Sequence, residues 1–403
     1  MFLSQYSGLE AFVSPLGIHS EIFTATVRKN LTQSLGAVTA DLSAEMKQVM
    51  QEHLGNITTR NWKEVKFVPL AAQIVARLSN RVFLGKKLST SKEWLNVSIM
   101  YTVDSQIALQ ELQMFPPFTR WLVHWFMPSM NRCREHIRTA RRIIDPEVAE
   151  RYKERRNALL SGKTLEKPRD SISWQMDNAG NVPYDFARGQ ITLGVAAIHT
   201  TSAMMSGLLF DLVENPAIIE ELRKEIVQVL QEDGGWKKTS LYKMKLLDSC
   251  MKESQRLHPV NSFVMIRSPT EDVTLSDGTR LPKNSMIAIP AVYMRDPAIY
   301  GPTADQFDGH RFLGLREQTG QENKWQFVTT SPEMFAFGHG MHACPGRFFA
   351  SNEVKIAIGH LLLSYDWKFD EKLRRPKSLK DSRDVPDPNG GVWCKARNEE
   401  VAL

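Results

Sequence analysis

The sequence predicts a mainly α-helical body with a small β part, on three observations. Apolar residues recur at three- and four-residue intervals along most of the chain, the spacing that gives a helix one buried face. Strand-like runs are few and cluster within 262–289. Gly189 to Phe210 is a run of 22 residues without a formal charge, which as an α-helix would be about 33 Å long and cross a whole domain.

Taken in order, the helical period runs through 21–54, 68–84, 93–113 and 132–160, then 184–214, 216–232, 243–257 and 346–364. The stretch 132–160 is strongly basic, through RCREHIRTARR and RYKERR. Without interleaved aromatics or a nucleic-acid motif it reads as a solvated helix face, with a docking surface for an acidic partner as the alternative. Lys163 to Pro183 is polar, carries Pro168, Gly180 and Pro183, and reads as a surface connection rather than a domain boundary. The uncharged run inside 184–214 has the length of a membrane span. Its Gln190, Thr192, His199, Thr200, Thr201, Ser202 and Ser206 would strand polar groups in lipid, so a core helix is expected. Ser262 to Ile266, Asp272 to Leu275 and Met286 to Ile289, with the turn Ser276-Asp277-Gly278, read as one small sheet.

With 42% apolar and 24% charged residues the chain has the composition of an ordinary globular protein, and a net charge of +6 excludes an acidic disordered tail. No internal repeat is visible, and 1–403 reads as a single domain. The four cysteines, Cys133, Cys250, Cys344 and Cys394, are too few and too dispersed for a disulfide framework or a Cys-x-x-Cys site. A reducing compartment and one special thiol are expected. The opening MFLSQYSGLEAF lacks the basic-then-apolar pattern of a signal peptide or membrane anchor.

The special thiol lies in Phe337-Gly338-His339-Gly340-Met341-His342-Ala343-Cys344-Pro345-Gly346-Arg347-Phe348-Phe349-Ala350. Two glycines permit a tight loop, and Pro345 is a residue favoured at the first position of a helix. Cys344 is thus expected at a helix N-terminus, where the helix end and the loop amides favour the thiolate that a metal requires. His342 could face the same site and meet an anion. Other readings of the segment are weaker in specific ways. Gly338-x-Gly340 lacks a correctly placed third glycine for a dinucleotide loop, and zinc on His339, His342 and Cys344 lacks a fourth ligand. A structural cysteine is the ordinary default.

Phe337-x-x-Gly340-x-His342-x-Cys344-x-Gly346 resembles the haem-binding loop of the cytochrome P450 family, and three further landmarks stand in that family's order. Glu253-Ser254-Gln255-Arg256 resembles its Glu-x-x-Arg helix. Phe307-Asp308-Gly309-His310-Arg311-Phe312 resembles its Phe-x-Pro-x-Arg-Phe segment, with Gly309 in place of proline. Ala196-Ala197-Ile198-His199-Thr200-Thr201 resembles its oxygen-activating stretch. The wording of the motifs is similar to a filamentous-fungal branch that includes ent-kaurene oxidases and oxidases of indole-diterpenes and other terpenoids.

The resemblance implies a cytochrome P450 fold that begins late. His19 to Leu35 would correspond to the third long helix, so the anchor, the first helices and part of the N-terminal sheet would be missing. It implies haem b held through the Cys344 thiolate, with Phe337 covering the sulfur. His342, His258 and Arg267 would meet the haem propionates, with Arg28 or Lys29 as weaker candidates. A structural triad of Glu253, Arg256 and Arg311 would organise the thiolate loop. Thr200, Thr201 and His199 would serve proton delivery, His199 standing where the family more often has Asp or Glu. Phe263, Val264, Ile266 and Val195 or Ala196 are candidate pocket-lining residues. The implied activity is insertion of one atom of O2 into a hydrophobic small molecule, a secondary metabolite of terpenoid type, with electrons from NADPH through a separate reductase. A full-length relative would sit at the endoplasmic reticulum membrane, and this chain would be cytoplasmic or peripherally attached. A haem-thiolate isomerase, dehydratase or peroxygenase, and a non-catalytic helical protein, stay open as alternatives.

Overall fold

In a computed structural model, which describes residues 6–12, 20–380 and 384–398, helices dominate as the apolar period requires. The first helical run is α1 (Ser20–Ala25), a π-helical segment Thr26–Leu31 and α2 (Thr32–Leu54). His19, at the start of the helix expected there, lies outside the described residues. Next come α3 (Phe67–Phe83), α4 (Gly85–Ser89), α5 (Lys92–Gln113), α6 (Arg120–Val123), α7 (Pro128–Leu160), α8 (Ser171–Ala179) and α9 (Phe186–Glu214). The second half holds α10 (Pro216–Asp233), α11 (Lys238–Lys243), α12 (Lys245–Leu257), α13 (Pro297–Tyr300), α14 (Arg311–Arg316) and α15 (Arg347–Ser364).

Helix α9 is the axis of the core, packed against α3, α5, α7, α12 and α15. It opens on Asp185, whose side chain accepts from the Arg188 amide at 2.9 Å and so satisfies one of the free N–H groups of the first turn. Of the described helices it alone is long and apolar enough to cross a membrane, and it is mostly buried inside the protein. Polar residues along it find partners there: Gln190 accepts from Ser171 at 2.8 Å and donates to Gln175 at 2.8 Å, and Thr192 donates to the carbonyls of Arg188 and Ala11. Phe67 of α3 packs edge-on against Phe210 and Trp367, with ring centroids 6.1 and 5.6 Å away. Burying a side chain of that size contributes about 1.5–3 kcal/mol.

The segment expected as a plain connection contains α8. Asp170 caps it by accepting from the Ser173 amide at 2.9 Å, and its two oxygens take a bidentate pair from Arg151 of α7 at 2.6 and 2.8 Å. The basic face of α7 is likewise paired within the molecule: Arg132 to Asp104, Arg141 to Asp185, Arg142 to Glu93 and Arg155 to Asp177.

The β part differs from the single sheet expected. Strands β1 (Lys63–Val65), β2 (Phe263–Arg267), β3 (Val273–Thr274), β4 (Arg280–Leu281), β5 (Ile287–Pro290), β6 (Tyr365–Lys368), β7 (Ser378–Lys380), β8 (Asp384–Pro386) and β9 (Val392–Ala396) form four sheets, all antiparallel. β2 pairs with β5, β3 with β4 and β7 with β8. The three-stranded sheet β1-β9-β6 joins residues more than three hundred positions apart, as Lys63 opposite Cys394.

One buried acid makes a testable statement about stability. Glu353 of α15 accepts from the Ser79 hydroxyl at 2.8 Å, while its other oxygen has no partner, and burial raises its pKa from 4.5 to about 8. A carboxyl that stays protonated in the fold but ionises when unfolded makes stability fall as pH rises from about 4.5 to about 8. Glu353→Gln should remove that fall relative to the parent in denaturant titrations across the window; parallel pH profiles would contradict it.

Candidate active site

The Cys344 loop is held by its own backbone. Gly338 and Gly340 both take φ of +71°, a conformation that favours glycine. The Cys344 amide donates to the Phe337 carbonyl at 2.7 Å, and the Gly338 amide donates to the Phe335 carbonyl at 2.7 Å. Arg347, which the sequence reading did not single out, clamps the loop from the first turn of α15. Its Nη1 donates to the Cys344 carbonyl at 2.8 Å and its Nε to the Val328 carbonyl at 2.9 Å. Phe337 sets its ring edge-on to Phe327, centroids 5.1 Å apart.

The helix itself begins at Arg347, with Gly346 as its cap, so Pro345 precedes the helix rather than opening it. The amides of Gly346 and Arg347 do favour the Cys344 thiolate, as the sequence suggested, but burial outweighs them and raises the thiol's pKa. An isolated Cys344 therefore keeps its proton, and a bound cation is what would favour the thiolate.

The expected triad forms. Glu253 and Arg256 of α12 are fully buried and share two hydrogen bonds of 2.8 Å, and Arg311 Nε donates to Glu253 Oε1 at 3.0 Å. The Asp308 amide adds a fourth donor at 3.2 Å, and Arg256 lies 4.6 Å from the Tyr300 ring centroid. Gly309, where the resemblance expects proline, has a steric reason. A Cβ there would meet Ile218 Cδ1 at 2.3 Å and the Cys250 sulfur at 2.8 Å, so α10 and α12 could not approach this turn as they do.

Cys344 borders a cavity of about 780 Å³. Another part of its lining is one stripe of α9: Leu193, Ala196, Ala197, Thr200, Thr201 and Met204, the positions that fall on one helix face. The Thr200 hydroxyl donates to the Ala196 carbonyl one turn back, at 2.8 Å. Arg28, from the π-helical segment, and Arg267 and His342 also border the cavity. Among the described residues, no Asp or Glu does.

Comparison with known proteins decides the family. The cytochrome P450 family model matches residues 20–392. The chain is 38% identical over 403 residues to the cytochrome P450 monooxygenase esdpI of Penicillium shearii, covering 100% of this chain and 77% of that protein. It is 40% identical to bsc2 of Alternaria brassicicola over 404 residues, covering 98% and 75%, and 41% identical to hepE of Aspergillus oryzae over 407 residues, covering 100% and 73%. Both of these are also named cytochrome P450 monooxygenases.

The chain belongs to the cytochrome P450 family. It is accordingly an oxidoreductase of the monooxygenase type, and the family carries a haem-thiolate cofactor. The residues present fit that group. A sulfur on one side of the cavity can ligate iron, and three donor side chains with no acid among the described lining residues suit an anionic edge.

Several expected site residues stand elsewhere in the P450. His199 does not border the cavity; its Nε2 donates to the Ile99 carbonyl of α5 at 2.8 Å. At about 100° per residue the stripe through Leu193, Ala196, Ala197, Thr200, Thr201 and Met204 leaves His199 on another side of the helix. His258 is turned away too: its Nε2 sits 3.1 Å from Asp211 Oδ1 and 2.9 Å from Arg375 Nη2. Lys29 is exposed outside the lining, whereas Arg28, the neighbour ranked with it, is in it. Val195 packs on the core, and Ala196 takes the cavity position.

Phe263 and Ile266 are exposed, and Val264 packs on the small cluster of Ala291, Met294, Met334 and Phe335. A register shift between Val264 and Arg267, with Met265 at φ +54°, is what brings Arg267 to the cavity. Val260 and Asn261 line it in place of the residues expected from β2. The zinc alternative finds no support among the described residues, where no three metal-ligating side chains converge, and His339 Nδ1 pairs with the Thr330 hydroxyl.

Proposed function

We propose that this P450 inserts one oxygen atom of O2 into a hydrophobic small molecule of terpenoid type in secondary metabolism. Electrons come from NADPH through a separate reductase, and 1–403 works as one haem domain. The observation that carries the reading is the placement of Cys344 and the Thr200 stripe in the lining of one cavity. Bound there through Cys344, haem supplies the one-electron and dioxygen chemistry. Leu31, Phe83, Leu193, Ala197 and Met204 make much of the remaining surface apolar, which suits a terpenoid skeleton.

Thr200 is the residue placed to hold the water that carries a proton. Its oxygen keeps lone pairs to accept from a cavity water while its hydrogen rests on the Ala196 carbonyl, so the hydroxyl orients that water without itself losing its proton. His199, bonded to α5, steadies the helix that presents Thr200. Thr200→Ala is expected to leave substrate binding within about threefold while sharply lowering product formed per NADPH consumed. Unchanged coupling would make Thr200 a packing residue. Turnover driven by added peroxide alone, with none from NADPH and reductase, would overturn the reductase-dependent reading.

Peripheral membrane contact is part of the proposal. The connection between α5 and α7 exposes Met114, Phe118, Trp121, Leu122, Trp125 and Phe126, a mixture suited to the interfacial zone of a bilayer. Trp121→Ser together with Phe126→Ser should weaken binding to phosphatidylcholine–phosphatidylserine vesicles at least fivefold in flotation, an expectation that equal flotation would contradict.

A further inference from the structure

Gln255 is a polar residue of the cavity wall with no hydrogen-bond partner in the protein among the described residues. Gln255 lies on α12 between two members of the triad, Glu253 and Arg256, and its side chain lines the cavity. The residue is 5% exposed, its Oε1 is enclosed without a partner, and neither end of its amide is hydrogen-bonded among the described residues. Buried amides in folded proteins are nearly always paired, because a group taken out of water and left unsatisfied is strongly unfavourable. The apolar lining residues Met204, Val260, Ala336 and Phe337 bring it no side-chain partner.

The backbone beneath Gln255 is fixed. Glu253 and Arg256 on either side are locked to each other and to Arg311, and the helix around them is buried. Such a side chain is pre-positioned for something that enters the cavity. What enters must suit a lining that holds Arg28, Arg267 and His342 and, among the described residues, no carboxylate. An acceptor with negative charge meets that condition. The amide offers two N–H donors, and turning it over exchanges its ends without a change of shape, so a donor can be brought to the occupant.

We propose that Gln255 hydrogen-bonds a carboxylate of the haem, as a neutral donor supplementing Arg28, Arg267 and His342. The amide adds directional hydrogen bonding without adding another charge to the wall, and its enclosed end is satisfied by a water trapped on loading. The inference rests on the haem reading above.

The test is haem loss from the loaded protein to excess apomyoglobin, with ordinary haem and with its dimethyl ester, which lacks free carboxylates. Gln255→Leu is expected to release haem about tenfold faster, as loss of a hydrogen bond to a charged acceptor predicts. Gln255→Glu should release it faster still, because two carboxylates then face each other. With the dimethyl ester, the difference between the parent and Gln255→Leu should shrink to about twofold or less, since the ester carbonyl is only a neutral acceptor. Equal haem loss from parent and Gln255→Leu would overturn the proposal, as would an equal acceleration for haem and ester, which marks mere packing. A change confined to the substrate dissociation constant would also overturn it, by assigning the amide to substrate. Should Gln255→Leu fail to fold, Gln255→Met carries the same expectation. A parent with a thiolate-type spectrum but no Gln255 effect sinks this inference alone, whereas a parent that takes up no haem sinks the haem reading as well.

Discussion

Glu253→Ala is expected to destabilise the protein by about 3–5 kcal/mol, the cost of leaving buried charge without its partner. Glu253 is fully buried and takes hydrogen bonds from Arg256, Arg311 and the Asp308 amide, so its removal strands two guanidinium groups at once. Arg256 has one substitute, the Met294 carbonyl at 3.1 Å, and the Tyr300 ring beneath it. Arg311 keeps the Tyr300 and Thr303 carbonyls near the surface, so Arg311→Ala should cost less than Glu253→Ala. Equilibrium denaturant unfolding of the three proteins gives the comparison. A loss below about 1 kcal/mol for Glu253→Ala, typical of an exposed ion pair, would show that the triad does not hold the fold.

Cys344→Ser is expected to abolish turnover while leaving the helical body intact. Serine preserves the shape of the loop, whose hydrogen bonds from Cys344 run through its backbone to Phe337 and Arg347. What it removes is the one thiol among the described lining residues; Cys133, Cys250 and Cys394 are buried elsewhere. A hydroxyl in place of the thiol cannot supply the thiolate ligand. Circular dichroism should therefore match the parent, with product formation at background. Substantial turnover by Cys344→Ser would place the ligand elsewhere.

The parts of this site that the sequence made legible are those carried by contiguous residues or by one helical turn. The Cys344 segment, Phe337 to Ala350, spans fourteen contiguous positions, and Glu253 with Arg256 stand three apart, so their pairing was legible locally, although their role came from the family's order of motifs. Arg311 needed the family's order of motifs, because the contact it makes crosses 58 positions. His199 was misplaced for a reason that helical geometry already contains: the cavity stripe through Leu193, Ala196, Thr200 and Met204 leaves it out. His258 was misplaced because its partners, Asp211 and Arg375, are distant in sequence and nothing local announces them.

In the fold, α8 was hidden by its polar surroundings, although Asp170 followed by Ser171, Ile172, Trp174 and Met176 is a usable start signal. The sheet β1-β9-β6 was not legible at all. Its strands are three to five residues long and pair across most of the chain, which short-range alternation cannot report. The turn of Arg267 into the cavity depends on an irregularity in the pairing of β2 with β5, a feature that side-chain alternation would have misplaced by one face.

The most direct test is the absorption spectrum of the purified, reduced, carbon-monoxide-bound protein, taken on the parent and on Cys344→Ser together. The parent is expected to give a thiolate-type spectrum with one haem per chain, and Cys344→Ser to lose it. A parent without stoichiometric haem, or a thiolate-type spectrum that survives in Cys344→Ser, would contradict it.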